Sequence, residues 1–528
     1  MDERSLDLPG TNRNKEDTLR SFHKKYAFAL VASVLAFTGL HCMSGRAERP
    51  NIVYILADDM GFGDVSVFNT DGRINTPFMD KLATQGMRFT DAHSPSAVCT
   101  PTRYGILTGR FAWRTEMKSG VLWSWSKPLI EQDRMTVATL LKQKNYATAA
   151  IGKWHLGLGW QYHDDDSTKV DFTKTISDGP TTLGFDYFFG ITASLDIPPY
   201  VYIENDSVTA QPDRKTENKD WQGFWRLGDT GSDFDHENVL PKLTEKAVSF
   251  IENQNSAKPF FLYFALPAPH TPILPTADFK GKSNTNLYGD FVQQTDWTVG
   301  QVMKALKKKG LEKNTIFIVT SDNGVSPRAN FDELKSVGHN SSGIYRGHKA
   351  DIYEGGHRVP FIVRWPARVR AGSVSDETIN LADLFATSAS VVGAAYGDDA
   401  GEDSYSILPL LLGRKDAIHR EATVHHSING SFAIRKGKWK LVMCPGSGGW
   451  SSPKPGRETE GLPPFQLFDL QADPAETNSV YEANPKVVDD LRALLVQYIK
   501  EGRSTPGLPQ QNSGGTTWKQ LKWMHEGI

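Results

Sequence analysis

Residues 51–61 read NIVYILADDMG, and this stretch is the main evidence for the class of fold. The apolar run from Asn51 to Ala57 is continuous, which is typical of a strand buried on both faces of a parallel sheet. It stops abruptly at Asp58 and Asp59, two acidic residues that follow the last apolar position. The stretch therefore predicts a buried parallel strand with carboxylates at its carboxyl end.

After this stretch, strand-like and helix-like segments alternate as far as Gly393, which indicates an α/β domain with a largely parallel sheet. Strands are expected at 147–151, 260–265 and 315–320, and helices at 76–86, 136–143, 240–253 and 290–309. Residues 160–238 show little periodicity and are expected to form long insertions over the sheet edge. A hairpin at 432–442, a strand at 465–470 and a helix at 486–501 predict a smaller C-terminal α+β domain with an antiparallel sheet. The expected domains are 48–393 and 394–528.

The N-terminus carries an export-like pattern. Lys24 and Lys25 precede an apolar run from 26 to 40, and small residues follow, so residues 1–47 are predicted to be a signal peptide with a polar N-terminal extension. The run is shorter than the roughly 20 residues of a membrane-spanning helix. Cys42 leaves a lipoprotein open, although His41 makes a poor lipobox, and an uncleaved anchor is the other alternative. The expected location is periplasmic or extracellular.

Composition limits the class of protein further. With 528 residues the chain can bury a large core, and a net charge of -2 gives no sign of nucleic-acid binding. The chain has three cysteines. Because Cys42 lies in the export-like segment and Cys99 is a candidate nucleophile, Cys444 has no obvious partner and no structural disulfide is expected.

Polar clusters follow the predicted strands directly. They are Asp58-Asp59, the motif GKWHLG at 152–157, PHTP at 269–272 and SDNG at 321–324. Since ligands bind beyond the carboxyl ends of strands in open α/β sheets, the four clusters should meet at one edge and form an active site.

The residue types at this edge indicate a chemistry. Oxygen donors from Asp58, Asp59, Asp322 and Asn323 are the ligands that Ca²⁺ or Mg²⁺ prefers, although any single pair could equally cap a helix or lie in a solvated loop. Cationic or titratable groups accompany them: Arg103, Lys153, His155, His270, His348 and Lys349. Cations that hold an anion and a histidine that moves protons suit the hydrolysis of an anionic ester.

Residues 96–103, SAVCTPTR, place Cys99 near the start of a predicted helix, because Pro101 suits a first helical turn. Arg103 follows about one turn later on the same side. A thiol at such a site is expected to be reactive. The alternative is a buried, inert cysteine.

Cys-x-Pro-x-Arg followed by Thr-Gly-Arg at 108–110 resembles the signature of the type I sulfatases, in the alkaline phosphatase superfamily. The motifs at 56–61, 152–157, 269–272 and 321–324, and Lys349 before YEGG at 353–356, resemble sulfatase motifs in the family's order. The resemblance covers roughly residues 50–365. Within the family, these motifs are similar to those of arylsulfatase A and the N-acetylgalactosamine-6-sulfatase-like enzymes. Thr102 departs from the serine that the family more often carries.

The resemblance implies an alkaline phosphatase-like fold and a set of roles. Cys99 would be oxidised to formylglycine by a formylglycine-generating enzyme, and one Ca²⁺ would bind to Asp58, Asp59, position 99, Asp322 and Asn323. Arg103 would stabilise the aldehyde hydrate, Lys153 and Lys349 would hold the sulfate, His270 would protonate the leaving alcohol, and His155 would take a proton from the second hydroxyl.

The predicted function is hydrolysis of a sulfate monoester, on a carbohydrate such as galactose or N-acetylgalactosamine 6-sulfate or on an aryl sulfate. A phosphonate or phosphate ester hydrolase and a non-catalytic binder of sulfated glycans remain alternatives. Other residues carry two interpretations each. His348 either contacts substrate or shapes its loop, and turn, packing or structural roles are favoured over site roles for Asp196, Trp123, Trp125, Trp160, Trp221, Trp225, His425 and His426.

Overall fold

The computed structural model describes residues 49–524, except 167, 256, 415–419 and 516. The predicted signal peptide at 1–47 and Cys42 lie outside the described residues. None of the helices in the described part of the chain is long and apolar enough to cross a membrane.

The elements are numbered here in chain order. The strands are β1 Asn51–Ala57, β2 Met87–Phe89, β3 Ala92–His93, β4 Ala147–Lys153, β5 Tyr187–Ile191, β6 Ile203–Glu204, β7 Ser207–Val208, β8 Pro212–Asn218, β9 Trp225–Gly231, β10 Phe260–Ala265, β11 Thr315–Ser321, β12 Phe361–Arg364, β13 Ser373–Ser375, β14 Ile379–Asn380, β15 Thr423–His426, β16 Phe432–Lys436, β17 Trp439–Val442 and β18 Gln466–Asp469. The α-helices are α1 Pro77–Gln85, α2 Cys99–Thr108, α3 Val137–Gln143, α4 Val239–Glu252, α5 Leu287–Lys308, α6 Phe331–Ser336, α7 Glu354–His357, α8 Leu384–Val392, α9 Leu408–Leu411 and α10 Pro485–Glu501.

The main sheet has ten strands in the order β13-β2-β12-β11-β1-β10-β4-β5-β6-β7. Strand β1 lies in the middle and pairs in parallel with β10 and β11, with Ile52 opposite Phe261 and Ile316. Strand β4 pairs in parallel with β10, whereas β12 runs antiparallel to β11. The predicted large, mostly parallel sheet is confirmed. The four strands that precede the polar clusters are direct neighbours, so their carboxyl ends form one continuous edge.

Side chains of β1 explain why its sequence is apolar throughout. Ile52 and Tyr54 belong to the hydrophobic core on one face of the sheet, together with residues of α2, α3 and α8. Val53 and Ile55 belong to the core on the other face, with residues of α1, α4 and α5. Helices therefore cover both faces, and every position of the strand is buried.

The expectation of insertions alone at 160–238 was wrong. Strand β5 extends the main sheet in parallel beside β4, and the two-residue strands β6 and β7 follow it at the edge. Strands β8 and β9 form a separate hairpin with two register shifts. The strands are short and the hairpin is irregular, which leaves no sustained periodicity in the sequence.

The C-terminal region carries a four-stranded antiparallel sheet in the order β15-β16-β17-β18, as predicted. The hairpin turn expected near Lys436 and Gly437 is present: Lys436 pairs with Trp439, so Gly437, with φ of 58°, and Lys438 form the turn. Helix α10 contributes Leu491 and Leu495 to the core of this sheet. The domain boundary at 394 remains a prediction. Within the described part of the chain Cys99 and Cys444 are both free.

A buried ion pair joins the segment after α2 to the C-terminal part of the chain. Arg114 donates from Nε and Nη2 to both oxygens of Asp403 at 2.8 Å, and neither side chain is exposed. Arg114→Ala should lower the free energy of unfolding by about 3–5 kcal/mol, because it leaves a buried carboxylate without its partner. Denaturant titration measures this. Lys486→Ala, which breaks the exposed pair with Asp490, is the control and should cost under about 1 kcal/mol. Similar losses for both variants would contradict the prediction.

Three buried histidines meet where β3, α7 and β15 pack together. Nδ1 of His93 lies 3.0 Å from Nδ1 of His357, and the rings of His357 and His425 stack with centroids 4.0 Å apart. Burial is the main cause that lowers the pKa of all three rings below the ordinary 6.5. The charged groups that act on them come from both parts of the chain: Asp91, Glu354, Arg358 and Lys440. The three histidines are therefore neutral near neutral pH.

This cluster predicts acid sensitivity. The folded pKa values lie below the unfolded value of 6.5, so the unfolded chain binds more protons below that pH and stability falls as the pH decreases. We expect denaturation at about pH 5.5 to show a loss of roughly 1 kcal/mol per histidine relative to about pH 7.5. His425→Gln should reduce this dependence. Equal stability at both pH values would contradict the prediction.

Candidate active site

The acidic residues that follow β1 and β11 lie against each other. The backbone N–H of Asp59 donates to Oδ1 of Asp322 at 3.3 Å, and Nδ2 of Asn323 donates to Oδ1 of Asp59 at 2.7 Å. Asp58, Asp59, Asp322 and Asn323 are all buried. The four predicted oxygen donors therefore come together at the carboxyl edge of the sheet.

Two residues of the site have unusual backbone conformations. Asp59 has φ of 64° and His155 has φ of 58°, a left-handed region that non-glycine residues seldom adopt. Such conformations cluster at functional sites, where the surrounding structure holds them in place. At Gly324 a Cβ atom would lie 1.9 Å from the carbonyl oxygen of Gly355, so only glycine permits the approach of SDNG to the YEGG segment.

Cys99 begins helix α2 and is buried beside the acidic residues. Its Sγ donates a weak hydrogen bond to Oδ1 of Asp58 at 3.7 Å. Burial raises the pKa of this thiol to about 12, against the opposing effect of Lys153 and Lys349. Burial, which the sequence did not reveal, therefore opposes the thiolate form of the unmodified sulfur, and the reactivity of position 99 stays a prediction.

Arg103 connects three of the segments. Its Nε and Nη2 donate to Oδ2 of Asp322 at 3.0 and 2.7 Å, and Nη1 donates to the carbonyl oxygen of Lys153 at 2.9 Å. Nη2 also lies 3.7 Å from Oδ1 of Asp58. The guanidinium group thus fixes the carboxylates beside Cys99. Burial raises the pKa of Asp322 to about 6, with Asp58 adding to the effect and Arg103 opposing it.

Two lysines bring positive charge to the same point. Nζ of Lys153 lies 2.6 Å from Oδ2 of Asp58, and Nζ of Lys349 lies 2.7 Å from Oδ1 of Asp59. Burial alone would raise the pKa of Asp58, but Lys153 and the cations around it hold it well below its ordinary value. Burial alone would lower the pKa of Lys349, but Asp59 raises it above its ordinary value. Asp58 therefore stays ionised and Lys349 stays protonated near neutral pH.

The two predicted site histidines differ in their environment. Nδ1 of His270 donates to the carbonyl oxygen of Thr271 at 2.6 Å, and Nε2 lies 3.5 Å from Oδ2 of Asp59. Nε2 of His155 donates to the carbonyl oxygen of Leu122 at 2.8 Å, while its buried Nδ1 has no hydrogen-bond partner among the residues that the structure describes. Burial, followed by Lys153 and Arg103, lowers the pKa of His155 well below its ordinary value. His155 is therefore neutral, with a free acceptor nitrogen.

The side chains of the other predicted residues take no part in the site contacts described above. His348 lines a separate cavity of about 490 Å³ with Phe331, and none of the cluster residues lines that cavity. His425 belongs to the buried histidine cluster, and Asp196 pairs with Arg226 at 2.6 Å. Of the tryptophans, Trp160 is buried and Trp225 stacks on His236, whereas three are exposed: Trp123, Trp125 and Trp221.

Sequence reasoning missed the segment that supports His155. The N–H of Leu122 donates to Oγ1 of Thr100 at 3.1 Å, and its carbonyl oxygen accepts from His155. Leu122 thus links the start of α2 to the end of β4. No sequence signal could have found it, because both contacts use its backbone.

The donor set fits a hard cation. One ligand atom each from Asp58, Asp59, Cys99 and His270 can be chosen so that all lie within 4.8 Å of one another. Oδ1 of Asn323 is buried and has no hydrogen-bond partner in the described part of the chain, which is a costly state that a cation would relieve. Carboxylate and amide oxygens at this density suit Ca²⁺ or Mg²⁺.

Together, the parallel sheet and this cluster of a cysteine, carboxylates, cations and histidines at its carboxyl edge suit the hydrolysis of an anionic ester. The family model described as sulfatase matches residues 50–394, and the one described as N-sulphoglucosamine sulphohydrolase, C-terminal, matches residues 347–503. The chain therefore belongs to the sulfatase family, and it is a sulfuric ester hydrolase.

Individual relatives agree. The chain is 37% identical to an N-acetylgalactosamine-6-O-sulfatase of Bacteroides thetaiotaomicron, with 85% of this chain and 93% of the relative covered. It is 29% identical to the steryl-sulfatase of Homo sapiens, with 91% and 92% covered. A solved structure from work on glycosaminoglycan metabolism by Bacteroides thetaiotaomicron matches with a TM-score of 0.75 at 36% identity, covering 85% of this chain and 99% of that one. The predicted fold and reaction class are confirmed, and the alternative of a non-catalytic binder of sulfated glycans is wrong.

Proposed function

We propose that this sulfatase removes sulfate from a carbohydrate, with galactose or N-acetylgalactosamine 6-sulfate as its substrate class, and that it uses a formylglycine at position 99 and one Ca²⁺. The observation that carries the proposal is the convergence of Cys99, His270 and the Asp58-Asp59 pair within 4.8 Å. The sugar preference is supported by the relative that is named for N-acetylgalactosamine 6-O-sulfate.

The burial of the Cys99 thiol, which raises its pKa, supports a formylglycine at position 99. A nucleophile with a pKa near 12 is almost entirely protonated at neutral pH, so the thiol as encoded is a poor catalyst. Oxidation to the aldehyde and its hydration supply a geminal diol. One hydroxyl would attack sulfur while the S–O bond to the leaving alcohol breaks, which leaves a sulfate ester on residue 99. Loss of the proton of the second hydroxyl would then expel sulfate and restore the aldehyde.

The other residues act on charge and protons. The ammonium groups of Lys153 and Lys349 lie where sulfate oxygens would bind and would neutralise charge as the sulfuryl group transfers. His270 would donate a proton from Nε2 to the leaving alcohol, and neutral His155 would accept a proton at Nδ1. Asp58, Asp59, Asp322 and Asn323 would hold Ca²⁺, which supplies Lewis-acid stabilisation of the sulfate and the nucleophile.

Calcium binding predicts a change in stability. Adding Ca²⁺ to chelator-treated protein should raise the melting temperature, since a ligand at a hundred times its Kd stabilises the native state by about 2.7 kcal/mol. Mg²⁺ should act more weakly, because it demands a stricter geometry. Asn323→Ala should lose the response, and the exposed Asn253→Ala should keep it. An unchanged melting temperature with Ca²⁺ would count against the metal assignment.

The reaction itself is tested by sulfate release. Purified enzyme from the natural host is assayed on a panel of monosulfated sugars, and on matched aryl sulfate and aryl phosphate esters. We expect release from a 6-sulfated galactose or N-acetylgalactosamine and faster cleavage of the sulfate than of the phosphate ester. Faster phosphate release would favour the phosphate ester hydrolase, and activity only on aryl sulfates would remove the carbohydrate assignment. Export by residues 1–47 and conversion by a formylglycine-generating enzyme remain part of the proposal.

A further inference from the structure

Two arginines and two exposed tryptophans lie together outside the cluster. Trp123 is 53% exposed and Trp221 is 58% exposed. Cζ of Arg226 lies 5.3 Å from the ring centre of Trp123, and Cζ of Arg328 lies 3.9 Å from that of Trp221. Both guanidinium groups lie 5.4 Å from the ring centre of Phe224. These five residues form one continuous surface, called here the arginine–tryptophan surface.

Hydrogen bonds attach one side of this surface to the nucleophile. Trp123 follows Leu122, whose N–H donates to Thr100 Oγ1 at 3.1 Å and whose carbonyl oxygen accepts from His155 at 2.8 Å. Thr100 is the residue after Cys99. Trp123 is therefore one residue away from a direct contact with the proton acceptor.

Hydrogen bonds also link the other side of this surface, at Trp221 and Arg328, to the segment that carries His270. Nε2 of Gln222 donates to the carbonyl oxygen of Arg328 at 3.3 Å, and the carbonyl oxygen of Gln222 accepts from the N–H of Ile273 at 2.8 Å. Ile273 is close in sequence to His270, and Arg328 follows Asp322 on the same loop. These two hydrogen bonds join the arginine–tryptophan surface to the segment that carries His270, the proposed proton donor to the leaving alcohol.

The charges of this surface are not balanced. Arg226 donates from Nη1 to Oδ2 of Asp196 at 2.6 Å. Arg328 donates from Nη1 to the carbonyl oxygen of Trp221 at 2.6 Å, and in the part of the chain that the structure describes no carboxylate lies within ion-pair distance of it. A planar guanidinium without a carboxylate suits a carboxylate or sulfate, and exposed indole faces suit the apolar faces of sugar rings.

We propose that the arginine–tryptophan surface is a second subsite, which binds a carboxylate or sulfate on the sugar joined to the one whose sulfate is cleaved. Arg328 holds this second anion, and Trp123 and Trp221 pack against the sugar rings. The enzyme then selects oligosaccharides with a charged neighbouring unit over those with a neutral one. The inference rests on the proposed carbohydrate sulfatase function and extends its substrate class.

The test compares kcat/KM on three 6-sulfated disaccharides: one with a uronic acid neighbour, the same compound after reduction of its carboxyl group to an alcohol, and one with a sulfated neighbour. We expect wild type to prefer one or both charged forms by about tenfold over the reduced form, as a charge-assisted hydrogen bond implies. The ratio between the two charged arms identifies the anion. Arg328→Gln should bring the preference close to one.

Arg368→Gln is the matched control, because Cζ of Arg368 also lies over a tryptophan, 5.5 Å from the ring centre of Trp365, at the opposite edge of the sheet. It should keep the wild-type preference. Melting temperatures check that each variant folds. No preference in wild type, or one that persists in Arg328→Gln, would overturn the subsite while leaving the proposed function intact. An absence of sulfate release from all sugars would overturn both.

Discussion

Cys99→Ala should abolish sulfate release, with kcat lower by roughly 10⁴-fold or more, because it removes the nucleophile of a reaction whose other groups act only on its attack. The protein should still fold, since the substitution removes one sulfur atom from a helix start and leaves the carboxylates with their lysine and arginine partners. Initial rates on an aryl sulfate and on a 6-sulfated sugar measure the loss, and the melting temperature checks the fold.

Cys99→Ser sharpens this prediction. A serine has a single hydroxyl, so an attack on sulfur would leave a stable sulfate ester that no second hydroxyl expels. We expect at most one turnover and a protein mass increased by one sulfuryl group. Cys444→Ala is the matched control, because Cys444 is also free and its Sγ donates to the carbonyl oxygen of Gly446 at 3.2 Å. Multiple turnover by either Cys99 variant would show that the nucleophile lies elsewhere.

His270→Ala should cost about 10³-fold in kcat on a sugar sulfate and about tenfold or less on 4-nitrophenyl sulfate. A sugar alcohol is a poor leaving group and needs the proton that Nε2 of His270 would donate. A nitrophenolate leaves without one, so the variant should discriminate between the two substrates. Initial rates of wild type and variant on both esters give the comparison.

The control for this experiment is His163→Ala, since the side chain of His163 is 47% exposed and lies outside the cluster. Equal losses on both esters in His270→Ala would mean that this histidine positions the carboxylate of Asp59, which lies 3.5 Å away, and does not act as a general acid.

The sequence predicted those parts of the fold that repeat a simple pattern. The run at 51–57 is apolar because both faces of β1 are covered, and its acidic continuation marks the strand's carboxyl end. The edge where four clusters meet followed from the rule for parallel strands. Strand β5 escaped because its apolar residues span 187–191 only, within a polar and aromatic region.

The site was predictable in its residue types and not in its electrostatics. Arg103 was expected beside Cys99, and the structure shows that it also fixes Asp322 and the backbone of Lys153. The pKa of Cys99 depends on burial, which is a property of the whole fold. The support of His155 by Leu122 and the grouping of Arg226 with Arg328 depend on tertiary contacts between loops, for which a single sequence contains no periodic signal.

The most direct test of a formylglycine nucleophile is the mass of the tryptic peptide 89–103 from protein purified out of its natural host. We expect an aldehyde at position 99, seen as the mass of formylglycine in place of cysteine and as reactivity with a hydrazide. A peptide that carries an unmodified thiol in fully active enzyme would contradict it, because the buried, protonated sulfur of Cys99 would then have to serve as the nucleophile itself.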